Sequence, residues 1–151
     1  MVRRKKVEFY SSAAPLSMCA VAADASDSSV KLHTSGPTGQ NAFTGYGEGY
    51  VLVNGVRHAT SVIVLADRVL HWDARGVEHL GPEHFTGLAA LGVEVVLLGT
   101  GARLRFPQPR LTRALLQAGV GLEVMDTRAA CRTYNILAAE ERRVAAALLF
   151  D

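Results

Sequence analysis

The sequence predicts an α/β domain: a single three-layer unit with a mixed central sheet, an antiparallel hairpin part and helices on both faces. Three observations lead there. Short apolar runs alternate with amphipathic segments through the second half of the chain. A strong hairpin signal, Asn54-Gly55, sits in the first half. The length, 151 residues, is that of one ordinary domain. Strands separated by helices imply parallel crossovers and the hairpin implies antiparallel pairing, so the sheet is mixed.

The elements follow in chain order. Residues 1–29 read as a flexible tail or a mis-assigned upstream extension, and residues 30–151 as the domain. Arg3, Arg4, Lys5 and Lys6 open the tail, and a weakly apolar stretch over 13–23 is broken by Pro15 and Ser17. Glu8 precedes that stretch, which makes a poor signal peptide. Turn formers are dense from 30 to 49. Residues 50–53 read as a strand and Asn54-Gly55 as a type I′ turn. The partner strand begins at Val56 and carries Arg57, His58 and Ala59. Residues 62–65 read as a buried strand and 69–72 as another.

Gly81-Pro82 opens a helix, with Phe85, Leu88 and Ala89 on one face and Gly92 past its end. Residues 93–98 (VEVVLL) are the best strand, apolar enough to be covered on both faces. A helix follows Pro107 and Pro109 through about Ala118, with Leu111, Leu115 and Leu116 expected on its buried side and Gly119 as its stop. Residues 122–125 form the next strand. Thr127 is expected to cap a helix with Ala130, Cys131, Tyr134, Leu137 and Ala138 on its buried stripe. Residues 140–150 are expected to form a last helix, its two leading acids suited to the macrodipole.

Composition excludes several function classes. The chain is 49% hydrophobic and 20% charged, ordinary globular values. Lys and Arg number 16 against 14 Asp and Glu, so no global charge argues for nucleic acid. No apolar run is long enough to span a membrane. Two cysteines make no disulfide framework, and Cys131 reads as a small core residue.

No catalytic constellation is evident. There is no nucleophile elbow and no close carboxylate pair. His71, Asp73, His79 and His84 lack metal-ligand spacing, so no metal site is expected. Gly99-Thr100-Gly101 follows the best strand, where backbone amides can cradle a phosphate. The third glycine of a dinucleotide fingerprint is missing, with Leu104 in its place, so no cofactor is implied. Arg103, Arg105, Arg110 and Arg113 cluster within eleven residues. They could face an anion or an acidic partner; a solvated basic face is the simpler reading. Arg128, Arg132 and Asn135 share a helical face beginning just after a strand's carboxyl end, the usual ligand edge of an α/β sheet. The candidate binding residues are therefore Gly99, Gly101, Arg103, Arg105, Thr127, Arg128, Arg132 and Asn135.

The ordered set Lys31-Leu32-His33, Thr44-Gly45-Tyr46-Gly47-Glu48-Gly49-Tyr50, Gly99-Thr100-Gly101, Met125-Asp126-Thr127 and Arg132-Thr133-Tyr134-Asn135 resembles the Mth938-like family of small α/β domains. Ala130, Leu137, Glu140 and Arg142 continue it. That family includes a mitochondrial assembly factor for respiratory complex I. The resemblance implies a three-layer fold, no transferable catalytic residue and a protein partner. The expected function is a cytoplasmic interaction module, peripheral to a membrane through its partner. A small-molecule or anion-binding domain, possibly an enzyme built on the Gly99–Gly101 turn, is the alternative, and a homodimer is a further possibility. Relatives of this kind begin near the Lys-Leu-His segment, where Val30 stands in the place of an initiator Met.

Overall fold

The computed structural model describes residues 30–32 and 39–150. The features expected of residues 1–29 thus lie outside the described residues. Among the described residues, nine strands and three α-helices follow one another as β1 (Val30–Lys31), β2 (Phe43–Gly47), β3 (Tyr50–Val53), β4 (Val56–His58), β5 (Val62–Val64), β6 (Val69–His71), α1 (Pro82–Ala89), β7 (Val95–Gly99), α2 (Arg113–Gln117), β8 (Gly121–Met125), α3 (Thr127–Ala139) and β9 (Val144–Leu148). Short 3₁₀ turns at Val77–His79 and Pro109–Thr112 precede α1 and α2.

The central sheet is mixed, in the order β6-β5-β9-β7-β8. Strands β8, β7 and β9 run parallel, and β5 is antiparallel to both β9 and β6. The hairpin part forms its own four-stranded antiparallel sheet, β1-β2-β3-β4. Asn54 and Gly55 both take positive φ, 52° and 85°, which is what the tight β3–β4 turn requires.

Side chains alternate across the central sheet and build two cores. On one face, Leu97, Val144, Ala146 and Leu148 pack with Ala130, Cys131 and Tyr134 of α3 and with Phe43, Tyr46, Val51 and Val53 of the small sheet. On the other, Val96, Leu98, Ala145, Ala147 and Leu149 pack with Phe85 and Leu88 of α1 and Leu115 of α2. Leu116, expected beside Leu115 on the buried side, is exposed, because adjacent helical positions point about 100° apart. The central sheet is therefore the middle of three layers.

Three further expectations are corrected. The helix expected over 140–150 is strand β9, the middle strand of the sheet. Its alanines favour a helix in isolation. However, Val144 through Leu149 are apolar on every side and buried, and a surface helix needs a polar face. Glu140 and Glu141 instead end α3. Glu141 sits at φ 61°, and bonds from its amide to the Ala138 carbonyl and from the Arg142 amide to the Leu137 carbonyl make a Schellman end. Second, residues 43–47 are a strand, although Gly45 and Gly47 made them read as turn. A Cβ at Gly47 would collide with the Tyr50 ring, so glycine is there for close packing. Third, the α3 cap is Asp126, whose Oδ1 accepts from the Ala129 amide at 2.8 Å; Thr127 is the first helical residue.

Candidate functional site

The carboxyl end of β7 meets the start of α3 at the Gly99-Thr100-Gly101 turn. Gly99 is buried, and a Cβ there would lie 2.7 Å from Leu148 Cδ2 and 3.2 Å from Thr127 Cα. Only hydrogen fits between β9 and the helix start. Gly101 turns the chain at φ 96°. Its amide donates to Thr127 Oγ1 at 2.9 Å, and its carbonyl accepts from the Thr127 amide at 2.9 Å. The Thr127 hydroxyl in turn reaches the Leu149 carbonyl at 3.3 Å. Thr100 is fully buried; its amide donates to the Met125 carbonyl, and its hydroxyl donates to the Arg103 carbonyl and accepts from the Arg105 amide. The amides of Thr100 and Gly101 are thus bonded inside the protein. An anion cradle at this turn would have to break those bonds first.

Along α3, the three polar candidates all meet β2. The Arg128 guanidinium carbon lies 5.7 Å from the centre of the Tyr46 ring. Arg132 Nη1 donates to the Tyr46 hydroxyl at 2.9 Å. Asn135 binds the Phe43 backbone twice: its Oδ1 accepts from the amide at 2.9 Å and its Nδ2 donates to the carbonyl at 2.8 Å. Phe43 adjoins a register shift between β2 and β3, where Thr44 is the extra residue. The Asn135 amide completes the hydrogen bonding of a backbone that β1 does not reach. Tyr134, one residue earlier, packs edge-on against Phe43, and its hydroxyl donates to the Asn41 carbonyl at 3.2 Å.

Burial sets the chemistry of this face. Desolvation pushes the Tyr134 phenol up to about 12. Burial also pushes the Cys131 thiol well up, so it stays protonated and behaves as a core residue.

Between the β2–β3 turn and the start of α3 lies a cavity of about 270 Å³. Tyr46, Gly47, Glu48 and Gly49 form one wall; Gly101, Ala102, Thr127 and Arg128 form the other, with Phe150 between them. Three of the candidates, Gly101, Thr127 and Arg128, thus come together here. Gly99 lies beneath them in the sheet, Arg132 and Asn135 lie further along the helix, and Arg103 and Arg105 stand on the loop beyond. Arg105 pairs with Glu78 at 2.6 Å, and this ion pair helps hold the Glu78 carboxyl below its usual range, after a hydrogen bond from backbone. The β2–β3 turn carried no role in the sequence reading, and Phe150 was placed in a helix. The density of glycines over 45–49 was the available signal for this wall.

Elsewhere, one member of the histidine and aspartate set, His84, has a structural role. His84 Nδ1 accepts from the Gly81 amide at 2.9 Å, and Nε2 lies 2.8 Å from the Asp73 carbonyl. These two bonds tie the start of α1 to the segment after β6. Among the described residues no cluster of His, Cys, Asp or Glu could hold a metal ion. Nor is any helix among them long and apolar enough to cross a membrane.

Comparison with known proteins matches residues 43–149 to the family described as protein of unknown function (DUF498/DUF598). A bovine protein named NADH dehydrogenase [ubiquinone] 1 alpha subcomplex assembly factor 3 is 36% identical over 100 residues, 65% of this chain and 54% of that one. The chain therefore spans about half the length of the curated relatives of that name. Among solved structures, a Bordetella parapertussis protein has a TM-score of 0.71 at 43% identity, covering 76% of this chain and 98% of that one. A Bordetella pertussis protein described as a Mth938-like domain has a TM-score of 0.65 at 38% identity, covering 80% and 92%. The family match takes in both sheets from β2 to β9 and all three helices, and the chain belongs to the DUF498/DUF598 family of Mth938-like α/β domains.

Proposed function

We propose that the domain is a protein-interaction module that serves the assembly of a respiratory membrane complex, acting from the cytoplasm through a protein partner. The observation that carries this reading is the 36% identity to a complex I assembly factor. The hydrogen bonding of the candidate residues supports it. Thr127 and Asn135, with Thr100 beside them, direct their side-chain polar groups at the protein's own backbone. Side chains so used build a rigid scaffold for presenting a surface, and interaction modules work by such surfaces.

The test uses the full chain, tagged at its own locus and expressed at its natural level, in a source organism that makes complex I. Pull-down recovers complex I subunits or assembly intermediates, and deletion of the gene lowers assembled complex I and NADH:ubiquinone oxidoreductase activity. Unchanged complex content and activity in the deletion strain would overturn the reading.

A further inference from the structure

The segment between β7 and β8 departs from the rest of the molecule in both charge and polarity. No Asp or Glu occurs between Glu94 and Glu123, while Arg103, Arg105, Arg110 and Arg113 all fall there. Elsewhere arginines are mostly matched: Arg68 pairs with Asp67, Arg142 and Arg143 with Glu94, and Arg57, Arg128 and Arg132 lie on or bond tyrosines. On this segment only Arg105 has an acidic partner, Glu78. Arg103, Arg110 and Arg113 are exposed and have none among the described residues; Arg110 bonds the neutral Gln108.

The same segment carries exposed apolar side chains. Five large hydrophobic residues are exposed among the described residues, and Leu104, Phe106 and Leu116 are three of them. Phe106 is 69% exposed and Leu104 51%. They alternate with Arg105, which turns to Glu78, and with the buried Pro107. Leu104 and Phe106 are thus exposed to either side of the half-buried Arg105. Thr100 anchors the start of the loop, through the Arg103 carbonyl and the Arg105 amide. Pro107 and Pro109 stiffen its end. A loop fixed in this way loses little entropy on docking.

We propose that this loop docks directly on an anionic lipid surface, with Leu104 and Phe106 entering the interface and Arg103, Arg110 and Arg113 at the headgroups. A solvated basic face does not account for the apolar pair, and an apolar contact alone does not account for three unmatched guanidiniums. An anionic bilayer complements both, since it offers a plane of negative charge over an apolar layer reachable by short side chains. The inference is independent of the partner proposed above: docking on lipid can fail while complex assembly stands, and the reverse.

The test is co-sedimentation of the full chain with vesicles of phosphatidylcholine alone or mixed with phosphatidylglycerol. Binding is expected only to the mixed vesicles and weakens as salt rises. The triple substitution Arg103→Ser, Arg110→Ser, Arg113→Ser lowers the partition coefficient roughly a hundredfold, and Phe106→Ser roughly tenfold. All four positions are exposed, and circular dichroism confirms that each variant is folded. Substituting Arg3, Arg4, Lys5 and Lys6 by Ser separates the tail's charge from the loop's. Phe106→Trp reports depth: its fluorescence shifts to the blue on mixed vesicles but not on soluble poly-glutamate. No binding to mixed vesicles overturns the proposal. So does binding lost only with the tail substitution. Equal binding to poly-glutamate without a blue shift also overturns it, and points to an acidic protein instead.

Discussion

The two ends of the strand-end turn use polar and charged residues in opposite ways. On the α3 side, three candidates are held by the fold: Thr127 holds Gly101, Arg132 holds the Tyr46 hydroxyl, and Asn135 holds Phe43, while the exposed Arg128 lies over the Tyr46 ring at the cavity wall. On the side running from Arg103 to Arg113, three guanidiniums and two large apolar side chains face solvent without an acidic match. Sequence spacing treats these regions alike, as polar residues beside a β7 glycine turn. Their hydrogen bonding separates them, because a group already bonded to the protein's own atoms has little left to give a ligand. The contrast teaches that the α3 face specifies how the small sheet docks, whereas the loop is available for an encounter.

The largest expected effect falls on the docked side. Asn135→Leu keeps the side-chain volume but removes both bonds to Phe43, leaving a part-buried amide and carbonyl unpaired beside the irregular β2–β3 pairing. Unsatisfied backbone groups of this kind cost about 1–3 kcal/mol each. A loss of about 3 kcal/mol is expected in denaturant unfolding. Loss below about 0.5 kcal/mol would mean that Asn135 is not what seats the small sheet. Thr127→Val is smaller. It is close to isosteric and removes the partner of the Gly101 amide and the long bond to the Leu149 carbonyl, so about 2 kcal/mol is expected. A gain of phosphate binding in Thr127→Val, read by calorimetry, would show that the freed amide can serve an anion and would blur the comparison.

How much of this was readable depends on whether the signal was local. The Asn54-Gly55 hairpin, the strands expected over 62–65 and 93–98 and the Phe85–Leu88 face are set by neighbours in sequence, and all are present, the two strands at Val62–Val64 and Val95–Gly99. Strand β9 was hidden because alanine's helix propensity is local, while its burial between β5 and β7 comes from the whole sheet. The uniformly apolar run was the available clue. Strand β2 was hidden because Gly47 is there for the Tyr50 ring, a contact across the hairpin. At the site, the residues were legible but their direction was not. Periodicity put Arg128, Arg132 and Asn135 on one face; only tertiary packing shows that this face meets β2.

Glu141 offers a sharper, opposite-signed check on the α3 side. It ends the helix with φ at 61°, a conformation that costs a non-glycine residue about 1 kcal/mol. The Schellman bonds that hold it are backbone bonds, and its side chain is exposed, so Glu141→Gly keeps them. Glycine loses more entropy on folding, which offsets part of the gain. A net stabilisation of about 0.5 kcal/mol is expected, seen as a raised denaturant midpoint at constant slope. A destabilised variant would show that the side chain, not the backbone, sets the entry into β9.

The smallest expected effect lies on the loop, where it matters most for the comparison. Phe106 is 69% exposed, so Phe106→Ser leaves no cavity and uncovers no core. Surface substitutions of this kind change stability by no more than about 0.5 kcal/mol. Coincident unfolding curves for the variant and the natural chain are therefore expected, even where vesicle binding falls. If Phe106→Ser instead lowers stability as far as Thr127→Val does, the loop is part of the packed structure. The asymmetry between the two sides of the turn would then disappear, because the apolar side chain would be stabilising the fold rather than waiting for a surface.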